Sequence, residues 1–198
     1  MDNHYFVHTT SIIDDDVEIG ENTKIWHFSH IQSGVVIGKC CSFGQNVNVS
    51  RNVKIGNGVK VQNNVSIYEG VELGDYVFCG PSCVFTNDTT PRARYSKNGN
   101  YKKTLVEHDA TLGANSTIIC GHTIHAYAMV AAGAVVTKDI PEHALVAGVP
   151  AKQIGWVCKC GNVLNQKLIC SFCKREYKKI KIRIIEIEES KNAKVLRE

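Results

Sequence analysis

The sequence predicts an all-β fold, a solenoid of short strands, on two observations. Every sixth residue from Ile13 to Phe85 is apolar, in the unbroken series Ile13, Ile19, Ile25, Ile31, Ile37, Phe43, Val49, Ile55, Val61, Ile67, Leu73, Cys79 and Phe85. Four residues after most of these stands a smaller side chain, from Val17, Thr23 and Ser29 through to Val77 and Cys83. A helix would bring its apolar face round every 3.6 residues and a simple strand every 2, so a period of six fits short strands, each ended by a turn.

Taken in chain order, Gly20, Gly38, Gly44, Gly56 and Gly74 each directly follow a large apolar position. With the Asn and Asp residues crowded into the same intervals, they are expected to supply the tight bends. Residues 86–105 lack the repeat and are polar and basic, and the series resumes at Val106, Leu112, Ile118, Ile124, Val130 and Val136. The interval from Phe85 to Val106 is not a multiple of six, so this segment is a loop thrown out of the coil, of a length usually tied to function.

Past Trp156 the repeat is gone, and Cys158-Lys159-Cys160 is followed by Cys170-Ser171-Phe172-Cys173. Two cysteine pairs a hairpin apart suit a tetrahedral zinc ribbon, with free thiols as the alternative; four thiolates would close the coordination sphere and make the metal structural. Residues 179–188, where Ile180, Ile182 and Ile184 alternate with Lys and Arg, read as a strand. The expected organisation is a β-helix domain over 1–155, a ribbon-like appendage over 156–189 and a charged tail over 190–198.

A net charge of +4 is only mildly basic, which argues against nucleic acid and for anionic small molecules. No stretch has the roughly 18 uninterrupted apolar residues of a membrane span, and the N-terminal residues lack the apolar core of a signal peptide, so the cytoplasm is the expected compartment. There the nine cysteines are read as thiols and metal ligands. Cys41, Cys79 and Cys83 occupy inward repeat positions; Cys40 and Cys120 fall off them.

The repeat over roughly 13–140 resembles the hexapeptide-repeat acyltransferases. That resemblance implies a left-handed parallel β-helix, about three hexapeptides per triangular turn, assembled as a homotrimer with acyl-CoA between subunits. The runs Lys24-Ile25-Trp26-His27-Phe28, Val61-Gln62-Asn63-Asn64-Val65, Phe85-Thr86-Asn87, Ala132-Gly133-Ala134 and Gly148-Val149-Pro150-Ala151 narrow the match. Together they are similar to the UDP-2-acetamido-3-amino-2,3-dideoxy-glucuronate N-acetyltransferases of lipopolysaccharide and O-antigen synthesis, with the acetyltransferases of dTDP-3-amino-dideoxyhexoses as a sister branch. A zinc site on His108, His122 and His125, as in hexapeptide carbonic anhydrases, and a non-catalytic scaffold are the competing readings.

The implied reaction moves acetyl from acetyl-CoA to a sugar amine, and most of its acceleration comes from holding the unprotonated amine against the thioester carbon. Family members that acylate hydroxyls carry a His before a Pro in the loop, where this chain has Asn87 and Asp88 ahead of Pro91. The departure points to an amine acceptor; the resemblance implies that Asn87 lies near the amine and orients it, with His30 and His27 as competing candidates for a protein base or for substrate contact. Gln45, Asn46, Gln62, Asn63 and Asn64 offer neutral donors and acceptors to a nucleotide sugar, or else serve as turn residues. Arg92 and Arg94 suit a carboxylate or diphosphate. Ala131, Ala132 and Gly133 would admit the pantetheine arm, and Lys138 and Lys152 would meet CoA phosphates.

Overall fold

In a computed structural model of the chain, residues 4–95 and 99–187 are described, and the tail assigned to 190–198 lies outside them. Three parallel sheets form the faces of a triangular prism. The first face begins with Phe6–Val7, Lys24–Ile25 and Ser42–Phe43, the second with Ile12–Ile13, His30–Ile31 and Asn48–Val49, the third with Glu18–Ile19, Val36–Ile37 and Lys54–Ile55. Phe6 pairs with Lys24, Lys24 with Ser42 and Ser42 with Lys60, so each coil takes 18 residues, three hexapeptides, as the resemblance implies. The solenoid runs to about eight turns. A strand on this scale has one outward and one inward side chain: Lys24 is exposed and Ile25 buried, and the pattern repeats at Val36 and Ile37, and at Lys54 and Ile55.

The inward series forms one continuous core from Ile25 to Ala151. Ile13, Ile19 and Val17 are only half-buried, because they belong to the first coil and have a neighbour on one side alone. Hydroxyls at the small inward positions tie coil to coil. Thr23 Oγ1 donates to Gly38 O at 2.9 Å and accepts from Cys41 N at 3.1 Å, and Ser29 does the same with Gly44 O and Val47 N. Cys41, Cys79 and Cys83 are buried as expected; Cys120 is buried and Cys40 exposed.

The repeat glycines do a different job from the one expected. The left-handed backbone of the corners falls two residues later, at Asn22, Cys40, Asn46, Gly58 and Tyr76. Gly20, Gly38 and Gly56 are needed for close approach instead, since a Cβ on each would stand 2.5–2.7 Å from atoms of the next coil. The amides of Lys39, Gln45 and Asn57 donate to Oδ1 of Asn57, Asn63 and Asp75, one coil further on, across the gap those glycines leave open.

The loop leaves the coil after Val84–Phe85 and returns at Thr104, two residues before the expected return at Val106; Thr104 is already buried and pairs with Val71. After the last coil the chain turns back along the first face as Lys152–Trp156, antiparallel to Ala144–Ala147. A second small core then gathers Cys158, Leu164, Cys170, Tyr177 and Ile184. Where one strand was expected over 179–188, of which Glu188 lies outside the described residues, the chain forms a hairpin, Tyr177–Ile180 against Arg183–Glu186. Lys181 turns it with a φ of 54°, which leaves Ile182 exposed at the tip and Ile184 buried.

Candidate active site

Each corner of the prism stacks one short segment per coil. At the corner between the first and second faces lie, in order, His8-Thr9-Thr10, Trp26-His27-Phe28, Gln45-Asn46, Gln62-Asn63-Asn64, Pro81-Ser82, Ala114-Asn115 and Ala131-Ala132-Gly133. The sequence-predicted polar contacts and the predicted pantetheine contacts therefore share one edge: aromatic at the N-terminal end, amide-rich in the middle, small at the C-terminal end. Gly133 has a φ of 70°, and the space where a Cβ would stand is open.

Not all the amides are available. Asn63 Oδ1 is engaged by Gln45 N at 2.9 Å, and Asn46 Nδ2 donates to Asn64 Oδ1 at 3.0 Å, which is the ladder role. Among the described residues no hydrogen bond engages the side chains of Gln45 or Gln62, so these two are free to meet a ligand.

Asn87 stands at the next corner, between the second and third faces, where the loop departs. Its carbonyl accepts from Lys102 N at 2.9 Å, and Thr86 Oγ1 accepts from Cys120 N at 2.9 Å, so the loop is pinned at its base. Asn87, Asp88, Thr89, Thr90, Asn100 and Lys102 line a hollow of about 230 Å³. Among the described residues no hydrogen bond engages the Asn87 side chain. Arg92 and Arg94 are exposed further along the loop, and Lys138 is exposed at the same corner two coils on. Lys152 lies exposed on the returning strand.

The structure does not bring His30 to Asn87. On the second face His30 pairs with Asn48, Asn48 with Ser66 and Ser66 with Val84, three strand steps, or about 14 Å at ~4.8 Å per step. His30 Nε2 instead meets Asp14 Oδ1 at 2.8 Å, and this hydrogen bond holds the Asp14 carboxyl below its ordinary range. His27 stacks on His8, ring centroids 3.6 Å apart. The three histidines weighed as zinc ligands each turn to a different carboxylate, His108 to Asp109, His122 to Asp139 and His125 to Glu107.

The cysteines do converge. The Sγ atoms of Cys158, Cys160, Cys170 and Cys173 all lie within 4.8 Å of one another, with Cys158–Cys173 at 3.4 Å and Cys160–Cys170 at 3.6 Å. Tetrahedral zinc with ~2.3 Å bonds sets sulfurs about 3.8 Å apart, so the four thiols fit that ion. Donors already face the sulfurs: Asn162 Nδ2 to Cys160 at 3.4 Å and Arg175 Nη1 to Cys173 at 3.3 Å. The backbone N–H of Arg175 brings the Cys173 thiol down to about 6, while burial pushes Cys158 up to about 11.

Sequence reasoning missed the third corner, between the third and first faces. His108, Tyr127 and His143 stack there on successive coils at 5.2 and 4.8 Å, and Tyr177 of the second core continues the column 5.2 Å from His143. His143 is buried, with Nδ1 2.8 Å from Val157 O. These residues lie off the inward repeat positions, so the hexapeptide pattern carries no signal for them. Among the described residues no helix is long and apolar enough to cross a membrane.

Known proteins match this arrangement. The model of bacterial transferase hexapeptide repeats matches residues 7–51, and that of the hexapeptide repeat of succinyl-transferase matches 34–69 and 103–138. The chain is 42% identical over 176 residues to a dTDP-3-amino-3,6-dideoxy-alpha-D-galactopyranose 3-N-acetyltransferase of Aneurinibacillus thermoaerophilus, covering 87% of this chain and 90% of the relative. Two solved structures share the fold, each with a TM-score of 0.50. One is a GDP-perosamine N-acetyltransferase of Caulobacter crescentus with CoA and GDP-perosamine, 24% identical over 75% of this chain and 55% of that one. The other is the acetyltransferase domain of PglB from Neisseria gonorrhoeae with acetyl-CoA, 19% identical over 76% and 58%. This chain spans just over half the length of both. With an 18-residue coil, a single loop excursion and near full-length similarity to such an enzyme, the chain belongs to the hexapeptide-repeat acyltransferases, among the acetyl-CoA-dependent sugar-nucleotide N-acetyltransferases.

Proposed function

We propose that this enzyme acetylates the 3-amino group of a nucleotide-linked 3-amino sugar, with a dTDP-3-amino-3,6-dideoxyhexose as the acceptor best supported. The observation that carries the reading is the 42% identity, across 90% of its length, to an acetyltransferase named for such a sugar. The amine nitrogen bonds to the thioester carbon, the carbon–sulfur bond breaks, and CoA leaves as thiolate, which takes up the surplus proton directly or through water. Asn87, its side chain unengaged at the rim of the loop hollow, orients the amine through Oδ1.

A second chain would bring the Asn87 corner to the donor edge. Asn87 and the free Gln62 stand at opposite corners of the second face and one coil apart, about 4.8 Å in height. The outward residues of that face, Ile12, His30, Asn48, Ser66, Val84, Thr117 and Val135, include no Lys, Arg, Asp or Glu. Such a face turned inward in a homotrimer would set one chain's Asn87 corner beside its neighbour's Gln62 edge, with acetyl-CoA entering past Ala131–Gly133. The same rotation preserves height, so His30 stays about three coils below Asn87 in every copy. Zinc in the four-cysteine cluster would stiffen the appendage and take no part in the chemistry.

A second reading keeps the reaction and changes the acceptor to UDP-2-acetamido-3-amino-2,3-dideoxy-glucuronate. Exposed Arg92 and Arg94, on the same loop as Asn87, favour a carboxylate there. Mass spectrometry with acetyl-CoA and a panel of dTDP- and UDP-linked 3- and 4-amino sugars separates them. A gain of one acetyl on the dTDP-3-amino sugar alone supports the first reading, on the UDP uronate alone the second, and silence across the panel rejects both.

A further inference from the structure

We infer that Trp26, His27 and Phe28 form the shelf on which the acceptor's nucleobase stacks, and that the base is a pyrimidine held at the N-terminal end of the amide-rich edge. The inference rests on the sugar-nucleotide reading and adds to it where the nucleotide lies.

Three observations converge on this shelf. First, the side chains are unusual for their place. At the third, left-handed position of this corner the later coils carry Asn46, Asn64, Ser82, Asn115 and Gly133, whereas the second coil carries Phe28, with a φ of 57° that a bulky residue adopts at a cost. Trp26 and Phe28 are nonetheless 41% and 60% exposed, so burial within the chain does not repay that conformation. Secondly, the shelf is braced. Phe28 N donates to Thr10 Oγ1 at 3.0 Å, the His8 ring lies against His27 at 3.6 Å, and Phe6 packs on Trp26 at 5.4 Å. Braced aromatics give a stacking surface that need not be ordered when a base arrives.

Thirdly, the spacing suits the ligand. Trp26–Phe28 lies three coils below the level of Asn87, about 14 Å, a span comparable to an extended nucleoside diphosphosugar from base to amine. Between them the edge holds the free amides of Gln45 and Gln62. Lys24 and Lys60 stand on the adjoining outward face, one strand either side of Ser42, and among the described residues neither is in an ion pair. In the homotrimer proposed above, a base on one chain's shelf, a diphosphate near its Lys60 and an amine at the Asn87 corner of the neighbouring chain follow one line along the shared edge. Gln45 and His27 carry the donors and acceptors that a pyrimidine's carbonyl and imide groups require.

The test uses the full chain and free dTDP and UDP as probes, in calorimetric titrations of the unaltered protein, Trp26→Ala and Phe28→Ala. Loss of one stacking partner should weaken dTDP binding roughly 5- to 100-fold, with CoA binding and assembly mass by light scattering unchanged. In turnover, KM for the sugar nucleotide should rise with kcat little altered. Saturation-transfer NMR on the unaltered protein gives a readout independent of any variant's folding: the thymine H6 and methyl protons should receive the strongest transfer. Nucleotide affinity within twofold of the unaltered protein in both variants, or transfer confined to the ribose, overturns the shelf. If amino sugars are acetylated while the variants bind dTDP normally, only the subsite fails; if neither nucleotide binds and no sugar is acetylated, the functional reading fails with it.

Discussion

Replacing Gly44 by Ala tests whether the repeat glycines serve coil stacking or chain turning. The added methyl would stand 2.3 Å from Asn63 Oδ1 and 2.8 Å from Asn63 N. Swinging the Asn63 side chain away relieves the first contact but breaks its hydrogen bond from Gln45 N, worth about 1 kcal/mol. The second contact is with backbone, so the third and fourth coils must part locally, an overpacking cost of about 1–3 kcal/mol. The sum is about 2–4 kcal/mol, or a fall in Tm of roughly 5–15 °C for a chain of this size. Urea and thermal unfolding of Gly44→Ala, Asn63→Ala and the double variant measure it. The double variant should recover only part of the loss, because the Asn63 nitrogen remains in the way. Gly133→Ala is the contrast: a φ of 70° with no atom within 4 Å of the added methyl predicts only the left-handed penalty, about 1–2 kcal/mol. A Gly44→Ala protein no less stable than Gly133→Ala would refute the stacking argument, and full recovery in the double variant would reduce it to a side-chain clash.

Asn87→Ala should lower kcat about 100-fold while acetyl-CoA affinity stays within twofold; unchanged turnover would remove Asn87 from the reaction. Elemental analysis should find about one zinc per chain, lost in Cys170→Ser, and the metal's apparent affinity should fall as pH falls, because zinc must displace the proton from Cys158, whose thiol is pushed up to about 11. A metal-free chain that melts no lower than the zinc-loaded one would show that the cluster does not brace the appendage. His30→Gln should return the Asp14 titration toward 3.8, read by carbon NMR. With the Asp14 pKa depressed in the folded state, the pair's contribution is present above the unfolded carboxylate value and lost as pH falls through the folded one, so this variant should also be less sensitive to acid. An unmoved Asp14 midpoint would mean that another group sets it.

The coil was legible because its rule is local and repeated: an inward side chain every six residues needs no long-range information, and Ile25 through Phe85 are buried as the period requires. Four cysteines in two close pairs announce a cluster for the same reason, since thiols at such spacings have little else to do together. What the glycines were for was not legible, because close approach between residues 18 or 19 apart looks in sequence like a turn residue. Nor was the hairpin near the C-terminus, where one strand was expected, because alternation continues through a turn that only Lys181's backbone reveals.

Sequence by itself determined the solenoid, the loop and the family, all properties of residue type at a fixed period, and it singled out Asn87 as a candidate. Tertiary structure decided which candidates share a place. A corner collects residues 18 apart and separates residues only a few apart, so Gln62 and Ala132 fall on one edge while Asn87 falls on another. It also set His30 about 14 Å from Asn87, because each coil adds one strand spacing of ~4.8 Å along the prism whatever the side chains are. The His108–Tyr127–His143–Tyr177 column likewise exists only when three coils and the appendage are stacked, since ring contacts between residues 16 to 34 positions apart leave no periodic trace in the chain.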